Sequence, residues 1–209
     1  MKTVVVLAGG PDLPVGFALP AGAMVIAADS GAELGVPVDL AVGDFDSISS
    51  ETLAGIAEVE PYPPDKDATD LELALAAALR LEPERILVVG SASGRLDHLV
   101  GSLLLLAADV YAGVRVDAQL GAAAVHVVRG ERLFRGVPGE LISLFAVHGP
   151  AEGVVTDGLV YPLRGERLDP GSSRGTSNAF AAGEARVSLA RGVLLAVRPS
   201  GSVQAGSSS

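Results

Sequence analysis

Four short apolar runs in the first 90 residues, each closed by glycine or aspartate, constrain this chain more than any other feature. Thr3–Ala8 is followed by Gly9-Gly10-Pro11. Ala23–Ala28 ends at Asp29, Leu40–Val42 at Gly43-Asp44, and Ile86–Val89 at Gly90. Side chains alternate between the two faces of a strand, so an unbroken apolar run needs cover on both faces. Parallel strands sandwiched by helices meet that condition. Helical spacing does follow the runs. Leu71, Leu75, Ala78 and Leu79 share one face of a helix predicted over Thr69–Leu81. Thr69 with Glu72 three residues on reads as a capping box. Leu99, Leu103 and Leu106 mark a second helix over Leu96–Ala108. The first part of the chain is therefore expected to be an α/β domain with a mainly parallel, Rossmann-like sheet.

After about Gly130 the helical spacing stops. Leu141–Val147, Gly153–Thr156, Leu159–Leu163, Ala185–Ala190 and Val193–Val197 are short strand-like stretches. Turn sequences such as Val137-Pro138-Gly139, Asp157-Gly158 and Arg191-Gly192 separate them. This pattern predicts an all-β sandwich. The expected division is 1–128 for the α/β domain, 129–200 for the β domain and 201–209 for a flexible Gly/Ser-rich tail.

The composition excludes some function classes. With 15 basic and 25 acidic residues the net charge is −10, a sign that repels nucleic-acid backbones. The chain has no cysteine, so thiolate metal sites and disulfides are ruled out. No apolar run approaches the length of a membrane span. A cytoplasmic protein is the expectation.

The carboxylates collect where strands are predicted to end, and ligands of open α/β sheets bind at that end. Asp29 follows the second run. Asp44 and Asp46 follow the third. Asp65, Asp67 and Asp70 precede the capped helix, and Asp97 opens the next one. Asp44 and Asp46, two apart, share a face of an extended segment and can offer oxygens to Mg²⁺; a polar turn is the alternative reading. Asp70 and Thr69 suit a helix start without any ligand, but Asp65 and Asp67 do not need to be there for that purpose. Three carboxylates in six residues repel one another unless a cation or Lys66 offsets them. Arg95 can fork onto phosphate oxygens or simply pair with Asp97, and His98 adds an imidazole. Gly9-Gly10 can admit a phosphate close to the backbone. Thr176, Ser177 and Asn178 form a polar cluster beside Gly175, either a ligand contact or a turn.

Taken in order, Ala28-Asp29-Ser30-Gly31-Ala32, Asp39-Leu40-Ala41-Val42-Gly43-Asp44-Phe45-Asp46-Ser47, Asp65-Lys66-Asp67-Ala68-Thr69-Asp70, Gly94-Arg95-Leu96-Asp97-His98 and Thr176-Ser177-Asn178 resemble the thiamin pyrophosphokinase family over nearly the whole chain. The resemblance implies transfer of a diphosphoryl group from ATP to thiamine, giving thiamine diphosphate and AMP. It also implies a homodimer, with the active site between the α/β domain of one subunit and the β domain of the other. Asp44, Asp46 and Asp70 match the family's Mg²⁺ ligands. Asp67, Arg95 and Asp97 match its catalytic centre, and Asp29, Lys66, Thr69, Arg95 and His98 its nucleotide side. Ser177, Asn178 and Tyr161 match the thiamine side. Asp67 or Asp97 is expected to take the hydroxyl proton, and Arg95 or Lys66 to steady developing charge.

Two departures from the family pattern stand out. Gly175 replaces a frequent serine, which removes one hydroxyl. Tyr161 is the aromatic on offer near the acceptor, either stacking on the ligand or filling the sandwich core. Two other functions stay open on the residues. One is a diphosphokinase acting on another alcohol, such as a pterin. The other is a non-catalytic protein that binds thiamine or nucleotide.

Overall fold

The structure is a computed structural model that describes residues 1–10 and 13–201. The terminal residues 202–209, most of the expected tail, lie outside the described residues. The chain divides into two compact units. Of the described residues, the first comprises Met1–Leu105 and Val114–Gly121; the second takes Leu106–Gly113 and 122–201.

The first unit is built on β1 Thr3–Leu7, β2 Met24–Ala28, β3 Leu40–Gly43, β4 Glu58–Pro61, β5 Arg85–Gly90 and β6 Arg115–Leu120. They lie in the order β4-β3-β2-β1-β5-β6, and every pairing is parallel. The expected runs are thus the middle of the sheet, and β1, β3 and β5 are buried along their whole length. Helices α1 Ser50–Ala54 and α2 Asp70–Arg80, all of α3 Leu96–Leu106 but its last residue, and a 3-10 helix over Asp29–Leu34 accompany these strands. α2 starts where its capping residue predicts: the Thr69 hydroxyl oxygen accepts the Glu72 amide at 3.2 Å. A cap of this kind is worth about 1 kcal/mol. Leu71, Ala74, Leu75, Ala77 and Ala78 are its buried face.

Two strands of this sheet are hidden in the sequence for physical reasons. β4 reads Glu-Val-Glu-Pro, because it is the sheet edge and its side chains are mostly exposed. β6 reads Arg-Val-Asp-Ala-Gln-Leu, and its aspartate breaks the apolar run. Asp117 is nonetheless fully buried, and it accepts a hydrogen bond from Arg85 Nε at 2.9 Å. Arg115 Nε adds a second contact at 3.2 Å. A buried charge survives only when paired in this way.

The second unit contains two antiparallel sheets. β7 Ala123–Val128, β9 Leu141–Ala146, β12 Asn178–Ala179 and β14 Leu194–Arg198 pair in the order β12-β9-β14-β7. β8 Glu131–Arg135, β10 Ala151–Asp157, β11 Arg164–Leu168 and β13 Glu184–Ser188 pair in the order β11-β10-β13-β8. One apolar cluster draws on both sheets, with Ile142 and Leu144 from one and Phe134, Val154 and Val187 from the other.

The strand expected over Leu159–Leu163 is not formed. Only Leu159 makes an isolated bridge, to Phe180, and the strand begins at Arg164. Side chains take two of the amides that a ladder would have used. Leu163 N–H donates to Thr156 Oγ1 at 2.8 Å, and Tyr161 N–H donates to Asn178 Oδ1 at 3.0 Å.

Candidate active site

The carboxyl ends of β2 and β3 and the start of α2 bring three aspartates together. Asp29 follows β2, Asp44 follows β3, and Asp70 is the first residue of α2. One carboxylate oxygen from each lies within 4.8 Å of the other two. Parallel pairing of β2 with β3 sets the first two side by side, with Ala28 opposite Val42. The third arrives because β4 pairs parallel with β3 and the chain then runs through 62–69 to the Thr69 cap. Tyr62 N–H donates to Gly43 O at 2.8 Å, which ties the start of that segment to the end of β3. Gly43 makes the close approach possible. Its φ is 150°, and a Cβ there would lie 3.1 Å from Asp70 Oδ1 and 3.2 Å from Asp29 Cβ.

Lys66 is seated on two of the three. Its ammonium lies 2.9 Å from Asp44 Oδ2 and 3.0 Å from Asp70 Oδ1. Its side chain is only 11% exposed. Burial by itself would lower the Lys66 pKa, but the hydrogen bonds to Asp44 and Asp70 outweigh it and hold the value above the ordinary range. The same contact pulls Asp44 below the usual carboxylate range. Asp29 behaves oppositely. Burial pushes its pKa up and the nearby Asp70 and Asp44 charges add to that, against the Ser30 amide and the Ser47 hydroxyl. Asp29 Oδ1 is buried and accepts no hydrogen bond among the described residues.

Asp46 lies outside this group. It is exposed, its amide points at Asp44 Oδ1 at 3.4 Å, and its Oδ1 accepts the Ser47 hydroxyl at 2.7 Å. The alternation that puts Asp44 and Asp46 on one face requires extended backbone, and Phe45 breaks it with φ 60°. Asp29, which the sequence puts on the nucleotide side, takes the third place in the group. Its own φ of 41°, invisible in a sequence, turns the chain there.

Asp65 and Asp67 are exposed on the segment that carries Lys66. Beyond β5, Arg95 and Asp97 form a two-point pair, Nε to Oδ1 at 3.2 Å and Nη2 to Oδ2 at 2.6 Å. The guanidinium lowers Asp97 to about 2. Both side chains are well exposed, as is His98, so this pair is open to a ligand. Gly9 and Gly10 end β1, with Ser91 beside Gly10.

In the second unit one member of the polar cluster, Asn178, clamps the chain at Tyr161. Asn178 is buried, and its Oδ1 accepts from the Tyr161 and Ala179 amides at 3.0 and 2.9 Å. Its Nδ2 donates to Tyr161 O at 2.7 Å. Tyr161 itself is 63% exposed, so it is no part of the sandwich core. Ser177 is exposed with φ 54°, and its amide donates to Ser143 Oγ at 3.0 Å. Gly175 has a steric reason: at φ 97° a Cβ would sit 2.8 Å from Leu144 O, so a serine does not fit this path of the chain.

Carboxylates gathered at the ends of adjacent parallel strands, with a lysine among them and an exposed arginine on a neighbouring loop, are the equipment of enzymes that transfer phosphoryl-type groups. Comparison with known proteins gives the family. Residues 19–116 match the catalytic domain of thiamin pyrophosphokinase, and 125–194 match its vitamin B1 binding domain. The thiamine pyrophosphokinase of Bacillus subtilis (strain 168) is 30% identical over 222 residues, covering 95% of this chain and 99% of the relative. The chain belongs to the thiamin pyrophosphokinase family. Its fold resembles the crystal structure of the B. subtilis enzyme at a TM-score of 0.81, with 26% identity over 94% of this chain and 98% of that one. The Geobacillus thermodenitrificans structure gives 0.80, with 25% identity over 98% and 100%. The Candida albicans structure, at 14% identity over 94% and 88%, shares the fold at 0.75.

Proposed function

We propose that this protein is a thiamine diphosphokinase, moving a diphosphoryl group from ATP to the hydroxyl of thiamine and releasing AMP. The observation that carries the reading is the group Asp29, Asp44 and Asp70. Its donors are hard carboxylate oxygens, and two of them, Asp29 Oδ1 and Asp70 Oδ1, are buried without a hydrogen bond among the described residues. That donor set fits Mg²⁺, which takes oxygen ligands and keeps part of its shell for phosphates and water. A cation held by Asp29, Asp44 and Asp70 would supply charge neutralisation for the triphosphate and polarisation of the phosphorus under attack.

The chain's own residues supply positioning. Phosphoryl-type transfer needs placement and charge stabilisation more than covalent help from the protein. We read the first unit as a Rossmann-like nucleotide domain, supported by its strand order, which reverses between β1 and β5. Arg95 turns its guanidinium from Asp97 to the phosphates, and Asp97 or Asp67 receives the proton of the attacking hydroxyl. Asp46 and Lys66 face the same triphosphate. In the second unit, read as a β-sandwich, Asn178 holds the Tyr161 loop, and Tyr161 and Ser177 are free to meet thiamine. A tyrosine face suits a cationic thiazolium. The proposal includes a homodimer, which the exposed apolar residues Leu96, Val100 and Leu104 of α3 favour. It also includes a cytoplasmic location; among the described residues no helix is long and apolar enough to cross a membrane.

The test is to incubate the protein with ATP, Mg²⁺ and thiamine and separate the products. AMP and thiamine diphosphate in equal amounts are expected. ADP in place of AMP would overturn the transfer class. Thiamine binding with no AMP would favour a binding protein, and turnover with a pterin alcohol alone would move the acceptor.

A further inference from the structure

We propose that Lys66 is a built-in competitor for the cation: its ammonium fills the Asp44–Asp70 side of the carboxylate group in the free protein and leaves it when a divalent ion binds. The inference rests on the cation site read above. Three observations support it. Lys66 Nζ is at hydrogen-bond distance from two of the three aspartates and reaches them from the segment just before α2. Its side chain is mostly buried, so the ammonium is lodged in the site. The ammonium does not satisfy the group: Asp29 has no ion pair with it, and Asp29 Oδ1 and Asp70 Oδ1 both stay without a hydrogen bond among the described residues.

Charge and distance then force a choice. The three carboxylates carry three negative charges, of which the ammonium offsets one in the free protein and a dication in its place offsets two. A Mg²⁺ ion bonds oxygen at about 2.0–2.1 Å. An ammonium already 2.9 and 3.0 Å from oxygens of Asp44 and Asp70 stands where an ion shared by those carboxylates must sit. Two positive centres that close repel strongly in a partly dehydrated site. Release of Lys66 is therefore coupled to metal entry, and the freed ammonium needs a new anion. A triphosphate provides one, so Lys66 links occupancy by metal to occupancy by nucleotide. Metal-free carboxylates are meanwhile kept together without collapse of the site.

The probe is Mn²⁺ alone, titrated without nucleotide into wild type and Lys66→Met, with free ion followed by electron paramagnetic resonance. Lys66→Met is expected to bind Mn²⁺ about fivefold more tightly, the scale of one modest ion-pair contribution. Its thermal midpoint without metal should fall below that of wild type, and saturating Mn²⁺ should raise it by more. Lys66→Gln is measured alongside, so that loss of folding in one variant leaves the comparison intact. Asp44→Asn should weaken binding in either background. Equal Mn²⁺ affinity in wild type and the Lys66 variants would overturn the competition and leave the cation site standing. Weaker binding in the variants would overturn it by making Lys66 a helper. No binding by any protein would overturn it together with the reading beneath it.

Discussion

Gly43→Ala tests the geometry of the site without touching its charge. All carboxylates and Lys66 remain, and only a methyl group is added. Two costs can be worked from the structure. A φ of 150° belongs to a region that residues with a Cβ rarely adopt, at about 1–3 kcal/mol. The added carbon would also press on Asp70 Oδ1 at 3.1 Å and on Asp29 Cβ at 3.2 Å, closer than ordinary contact by a few tenths of an ångström. Those are two of the three arms of the group. At about 2 kcal/mol in total, the thermal midpoint of a chain this long drops by about 4–8 °C. Misplacement of this order in a site that works by positioning lowers turnover by about ten- to a hundredfold. The assay is AMP formation at saturating ATP and thiamine, with the Mg²⁺ requirement measured for each protein. Gly22→Ala is the control: its φ is 70° but nothing lies within 4 Å of the added carbon. It should lose stability and keep wild-type turnover. Wild-type turnover and an unchanged Mg²⁺ requirement in Gly43→Ala would refute the claim that this close approach builds the site.

Other expectations follow from single contacts. Burial, helped by the Asp70 and Asp44 charges, raises Asp29, so the metal-free folded state holds that proton to a higher pH than the unfolded chain does. Stability then falls as pH rises from the ordinary carboxylate range through the raised value, and Asp29→Asn should flatten that fall; identical pH profiles of the thermal midpoint would contradict it. Asn178→Ala strips partners from two amides and one carbonyl and should cost about 1–3 kcal/mol in urea unfolding, with a rise in KM for thiamine. An unchanged denaturation midpoint would mean that Asn178 is no clamp. Asp117→Asn leaves the buried Arg85 guanidinium uncompensated and should cost about 3–5 kcal/mol, read from the same denaturation curves; a loss under 1 kcal/mol would show that water reaches the pair.

The centre of the first sheet was legible because its strands are buried on both faces and read as unbroken apolar runs. The edge strand β4 was not, since an edge is allowed glutamates and proline, and β6 was not, since Asp117 is compensated by an arginine 32 positions earlier. Sequence spacing carries no sign of such a distant pairing. In the second unit, Leu159–Leu163 has the composition of a strand, yet Asn178 and Thr156 claim its amides. The candidate site was legible as a set of loops, since Asp29, Asp44 and Asp70 each follow a recognisable strand end or open a capped helix. Which carboxylates meet depended on backbone twists at Asp29 and Phe45, both with positive φ, and these have no signature in residues that are not glycine. The seating of Lys66 between Asp44 and Asp70 was equally hidden, although its i,i+4 spacing to Asp70 is readable once α2 is placed.

The central claim is that three carboxylates from three separate elements hold one divalent cation. Crystals grown with Mn²⁺ and ATP and measured at the manganese absorption edge address it directly. An anomalous peak is expected at bonding distance from Asp29, Asp44 and Asp70, with Lys66 displaced from it. A peak bonded only to Asp46 and Asp67, or none within reach of the three aspartates, would contradict it.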